Sequence, residues 1–109
     1  MNTRTYSRRA QEAALLLGRR IALGRKARRM TATDFAERVG ISRTTLHKIE
    51  QGDLRCEIGT VFEAAVLAEV VLFDEDTHGL ALMIESANDK LALLPQSIRV
   101  SRTKVDDDF

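Results

Sequence analysis

Apolar positions along this chain come as spaced stripes rather than runs, and each stripe stops at a glycine, a proline or a short polar residue. Between residues 7 and 29, Ala10, Ala14, Leu17 and Ile21 recur at intervals of three and four, with Ala13 alongside, which is the spacing of one helix face. Gly18 and Gly24 interrupt that helix, and each weakens it by about 1 kcal/mol relative to Ala. A bend or close packing is therefore expected at either position.

Residues 31–52, TATDFAERVGISRTTLHKIEQG, carry two shorter patterns. Thr31 is an N-cap candidate, and Asp34 stands where the reciprocal acid of a capping box belongs. Phe35, Ala36 and Val39 then form one apolar stripe, and Gly40 supplies the positive φ that stops a helix. The first short helix is predicted over 32–39. Ile41 plugs the corner, Ser42 offers a second N-cap, and Leu46 and Ile49 mark the buried side of a second helix over 43–51, which Gly52 closes.

After a loop at 53–55, residues 58–68 predict another helix. Val61, Phe62, Ala65 and Val66 form its stripe, Ala68 extends it, and it is expected to be the floor on which both short helices pack. The apolar patch over residues 70–73 is either core or a partner surface. The acidic residues 74–76 and a capping Thr77 suit a helix start, and Leu80, Met83, Ile84 and Ala87 carry a helix that Leu91 and Leu94 continue until Pro95 ends it. Ile98 and Val100 alternate with Arg99 and Ser101 as in a strand, which would have to pair with another chain or dock on a partner. The domain organisation expected is one domain over 1–72 built around the two short helices, with 73–109 as an extension for dimerisation or partner binding packed on it.

Charge adds what periodicity does not show. The net charge is only +1, but residues 1–55 hold 13 Lys and Arg against 5 Asp and Glu, and residues 56–109 hold 4 against 11. A basic amino half suits a polyanion, and an acidic carboxyl half should point elsewhere. No apolar run approaches a membrane span, and the start MNTRTYSRR lacks a signal-peptide core, so a cytoplasmic protein is expected. The lone Cys56, with only His47 and His78 beside it, excludes a disulfide framework and a zinc cluster, so neither metal nor cofactor is expected. Neither histidine belongs to a catalytic constellation, and an enzyme is the weakest class.

Two short helices around a tight Gly-containing turn are a helix-turn-helix arrangement, whose second helix can lie in a DNA major groove. With Leu46 and Ile49 inward, the second helix shows Arg43, Thr44, Thr45, His47 and Lys48 outward, with no acid before Glu50. Cations and hydroxyls suit phosphates and base edges. A solvated face of an ordinary bundle is the alternative. Arg19, Arg20, Arg25, Lys26, Arg28 and Arg29 cluster near the end of the first helix, where they complement its dipole or touch phosphate. Arg25 has a third option, a bidentate pair with Glu50. Arg55 is placed to reach a phosphate beside the second helix.

Over residues 17–68 the chain resembles the Xre/Cro helix-turn-helix family of repressors, through Arg25, Thr31, Ala36, Val39, Gly40, Ile41, Ser42, Leu46, Ile49, Glu50 and Gly52. The resemblance implies an all-α, five-helix lambda-repressor-like bundle with a C-terminal extension of a short strand and an acidic tail. It also implies a homodimer on palindromic operator DNA, base contacts from Arg43, Thr44 and Lys48, and phosphate contacts near Ser42 and Arg55. Ala32 stands where the family usually has Gln, Thr33 is the candidate substitute, and Thr31 beside them is a further DNA-contact candidate. The passages IGTVFEAAVLAEV and LALLPQSIR and the terminus VDDDF are similar to the HipB-like antitoxins that accompany HipA-like kinase toxins. That likeness implies an antitoxin that is also a repressor, with Asp106, Asp107, Asp108 and Phe109 meeting a basic toxin surface. Alternatively, the aspartates only solubilise a frayed end. A stand-alone repressor and a protein-interaction adaptor that binds no DNA are the competing functions.

Overall fold

The computed structural model describes residues 5–73 and 77–97, without the side chains of Thr77 and His78. Its helices are α1 (Arg8–Ala27), α2 (Ala32–Val39), α3 (Arg43–Glu50), α4 (Ile58–Leu67) and α5 (Thr77–Ala92), with no strand among the described residues. The expected strand at 98–101 and the acidic tail lie outside them. The chain divides into two compact units, Met1–Asp74 and Glu75–Phe109, so the expected five-helix bundle is four helices in the first unit, with α5 in the second.

In the first unit, the core is Ile21 from α1, Phe35 and Ala36 from α2, Leu46 and Ile49 from α3, and Ala64, Ala65 and Ala68 from α4 and its cap. Each comes from the apolar stripe of its own helix, and burial of these faces supplies the main drive for folding. Both α1 and α2 pack against α3 and α4. The floor predicted for α4 is corrected accordingly: α4 supports α1 and α2, whereas α3 rests on α1 and α2. The stripe on α4 is also rotated from the expected one. Ala64 is fully buried and Val66 is 61% exposed, because close approach to α1 selects the smallest side chains at the seam.

Close packing, rather than any bend, accounts for Gly24. A Cβ there would lie 3.0 Å from Ala68 Cβ and closer still to the Ala68 carbonyl oxygen. Helix ends follow one scheme. Met30 N–H donates to Arg25 O and Val70 N–H to Ala65 O, and between each pair the chain passes through a left-handed residue, Arg29 at φ 60° and Glu69 at φ 62°. Arg28 and Glu69 form an ion pair between these two helix ends.

In the second unit, α5 carries the expected stripe, but Met83, Ile84 and Ala87 on it are exposed, as are Leu82 and Leu91. Thr77 is the first helical residue, and the helix stops at Ala92, before Leu94 and Pro95. The residue before a proline is disfavoured in the α region, which helps to keep Leu94 out of the helix.

Candidate nucleic-acid interface

Residues 40–42 join α2 to α3. Gly40 adopts φ 90°, its N–H donates to Ala36 O at 2.8 Å, and Ile41 N–H donates to the same carbonyl at 2.9 Å. The chain thus turns sharply and Ile41 packs onto the core. Ser42 then starts α3, its Oγ accepting from Thr45 N–H at 3.0 Å and donating to Thr45 Oγ1 at 3.0 Å. Thr31 does the same for α2, accepting from Asp34 N–H at 3.1 Å.

Leu46 and Ile49 are 1% and 3% exposed, which fixes the opposite face of α3 toward solvent. On it stand Arg43, Thr44, His47 and Lys48, all exposed and without an ion pair or side-chain hydrogen bond among the described residues. Thr33 is exposed on the neighbouring α2. Unpaired donors on one short helix suit an acidic lattice of phosphates with base edges between them. Arg43, Thr44 and His47 border one shallow depression beside α3 with Ala32, while Thr45, Lys48 and Arg55 border another.

The remaining candidates are engaged within the chain. Thr31 and Ser42 use their hydroxyls in capping, and Thr45 Oγ1 accepts from Ser42 Oγ. Arg55 is held by Asp53: its N–H donates to Oδ1 at 2.9 Å, its Nε to Oδ1 at 3.1 Å and its Nη2 to Oδ2 at 3.0 Å. These bonds hold the Asp53 carboxyl at about 2, below its ordinary 3.8. Arg55 therefore stands beside α3 as one half of an ion pair rather than as a bare cation. Sequence reasoning missed Asp53, although an Asp accepting from the backbone two residues on is an Asx-turn signal. Burial pushes the neighbouring Cys56 thiol up.

Behind the face, Arg25 and Glu50 form the expected bidentate pair, Nε to Oε2 at 2.8 Å and Nη2 to Oε1 at 3.2 Å, and Nη1 also donates to Met30 O at 3.0 Å. Glu50, the single acid on α3, is thereby paired with a cation, although it and Arg25 still line the depression that Arg43, Thr44 and His47 border. The hydrogen bonds to Glu50 also raise the Arg25 pKa. Asp106, Asp107, Asp108 and Phe109 lie outside the described residues. Among the described residues, no group of His, Cys, Asp and Glu could hold a metal ion, and no helix is long and apolar enough to cross a membrane.

Two helices set by capped starts and glycine or left-handed ends, with the second one bare and cationic, define a helix-turn-helix protein. Residues 16–77, more than half of the chain, match the family model described as a helix-turn-helix domain, and the chain belongs to that family. Comparisons with curated proteins and with solved structures returned no significant match. Family membership points to DNA binding.

Proposed function

We propose that this chain is a non-catalytic, sequence-specific DNA-binding repressor that binds palindromic operator DNA as a homodimer. We further propose that it serves as the antitoxin of a HipA-like kinase, in a HipBA-like pair. The observation that carries the DNA reading is the outer face of α3, where Arg43, Thr44, His47 and Lys48 are exposed and form no ion pair or side-chain hydrogen bond among the described residues, while the one acid of the helix is tied to Arg25. Arg43 and Lys48 read base edges, Thr44 offers a hydroxyl and a methyl, and Thr33 takes the role that Ala32 cannot perform. The exposed apolar residues of α5 support a protein-binding role for the carboxyl-terminal part, as dimer contact or toxin contact. The acidic balance of residues 56–109 keeps that part off DNA.

The test is to express the chain with the product of the neighbouring gene, purify by affinity and assay upstream DNA by gel shift. A stoichiometric kinase-like partner with a sharper shift supports the antitoxin-repressor. A lone dimer that shifts the same DNA leaves a stand-alone repressor. A chain that shifts no DNA at any salt concentration leaves the adaptor.

A further inference from the structure

The last turn of α3 meets α1 backbone to backbone. Gly18, buried on α1, lies directly under it: a Cβ there would stand 2.8 Å from the Glu50 carbonyl oxygen, 2.9 Å from its carbon and closer still to the Ile49 oxygen. Gly52, just past α3, makes the reciprocal approach, since a Cβ on it would stand 2.6 Å from Leu15 Cα and 2.8 Å from Leu15 N. A clash with a flexible side-chain tip is relieved by rotation. A clash with main chain moves the helix. Two further contacts hold the same turn to α1, the Arg25–Glu50 pair and Arg19 Nη2 donating to Gln51 Oε1 at 3.4 Å.

We propose that Gly18 is a positioning residue: by admitting the Ile49 and Glu50 main chain against α1, it sets the height and tilt at which α3 presents Arg43, Thr44, His47 and Lys48 to a DNA groove. This rests on reading α3 as the DNA-contacting helix. Arg43 lies seven residues from Glu50, roughly 10 Å along the helix axis at 1.5 Å per residue, so a pivot at the carboxyl end displaces the amino end most. Bidentate hydrogen bonds to a base edge tolerate little displacement, whereas attraction to phosphates is long-ranged and survives it. Disturbing this seat should therefore remove sequence discrimination and leave general DNA affinity in place.

Gly24 provides a matched control. It is as tightly packed as Gly18, but its neighbour is Ala68 at the end of α4, so Gly24→Ala strains α1 against α4 without pressing on α3. The wild-type chain, Gly18→Ala and Gly24→Ala are to be compared on the duplex that wild type enriches from a randomised pool and on poly(dI–dC), with thermal melting in parallel. The expected result is that Gly18→Ala lowers the preference for the enriched duplex by ~10-fold or more, the scale of one lost bidentate base contact. Its salt dependence on poly(dI–dC) stays unchanged, and Gly24→Ala keeps the wild-type preference even where its melting temperature falls. A folded Gly18→Ala with wild-type preference overturns the proposal, as does an equal loss in Gly24→Ala. Should Gly18→Ala fail to fold, Arg25→Lys decides, because Lys keeps the charge but cannot fork onto Glu50. Lost discrimination with retained poly(dI–dC) binding supports the seat, and unchanged discrimination overturns it. A wild-type chain that enriches no sequence overturns the DNA reading itself, and the seat with it.

Discussion

Arg25 and Glu50 meet fork to fork across the α1–α3 seam, and their side chains are only 11% and 12% exposed. The pair joins the first helix to the helix that carries the outer cationic face. Removing one partner leaves the other charge in a partly dry seam, with the Met30 carbonyl the guanidinium's remaining acceptor. Glu50→Ala is expected to cost about 3 kcal/mol, the scale seen when one member of a buried pair is removed. The double variant Arg25→Met with Glu50→Leu should cost less than that single change. Urea unfolding of the three proteins checks both statements, and a double variant weaker than Glu50→Ala would contradict them.

Asp53 supplies a pH signature. Its carboxyl is held at about 2 by hydrogen bonds from Arg55, so the folded value lies below the unfolded one. The stabilisation is then fully present above about pH 4 and is lost as pH falls through about 2. Carboxyl NMR titration should find Asp53 among the lowest-titrating carboxylates, and Arg55→Ala should raise it only part of the way, because the backbone N–H of residue 55 still donates to it.

The same pair affects DNA binding. Asp53→Asn removes the charge that neutralises Arg55, leaving a free cation beside α3. Non-specific affinity should rise, and the logarithmic salt dependence should steepen by about one unit, the value of one added phosphate contact. An unchanged slope would show that Arg55 is out of reach of the backbone.

Arg43 carries a different expectation. Arg43→Ala should cost about 1–3 kcal/mol on the preferred duplex and relax the preference at one base position. Equal weakening on every sequence would reduce Arg43 to a phosphate contact.

Arg29 is exposed at φ 60°, where a side chain is disfavoured by roughly 1 kcal/mol. Arg29→Gly relieves that strain but adds freedom to the unfolded chain. A net increase of about 0.5 kcal/mol in unfolding free energy is expected from denaturant titration. Glu69→Gly should do worse, since it also removes the partner of Arg28.

The comparison between sequence and structure divides along physical lines. Capped starts at Thr31 and Ser42, the stops at Gly40 and Gly52 and the inward faces of α2 and α3 were legible, because each depends on residues three or four positions apart. The Arg25–Glu50 pair was legible as one option among three, through the chemistry of the guanidinium fork. Part of what could not be read depended on distant neighbours. Ala64 replaces Val66 in the core because of how closely α1 approaches, and the exposed stripe of α5 looks in sequence like any buried one. The helix ends at Arg29 and Glu69 were concealed by the absence of glycine. The apolar residue that follows each, Met30 and Val70, packs on the core and was the available sign. At Thr45 and Arg55 the residue type suggests a free polar group, whereas the Ser42 hydroxyl and the Asp53 carboxylate engage them.

Gly40 and Gly52 share a left-handed backbone, at φ 90° and 78°, but not a neighbourhood. A Cβ at 40 would meet nothing within 4 Å, whereas one at 52 would press into the backbone of Leu15. Position 40 constrains only the torsion, and asparagine, which enters the left-handed region most easily among side-chain-bearing residues, can satisfy it. Position 52 constrains torsion and volume together. Among descendants of this chain, the turn between the two short helices is thus free to drift between residue types, while the exit from the second helix admits glycine alone.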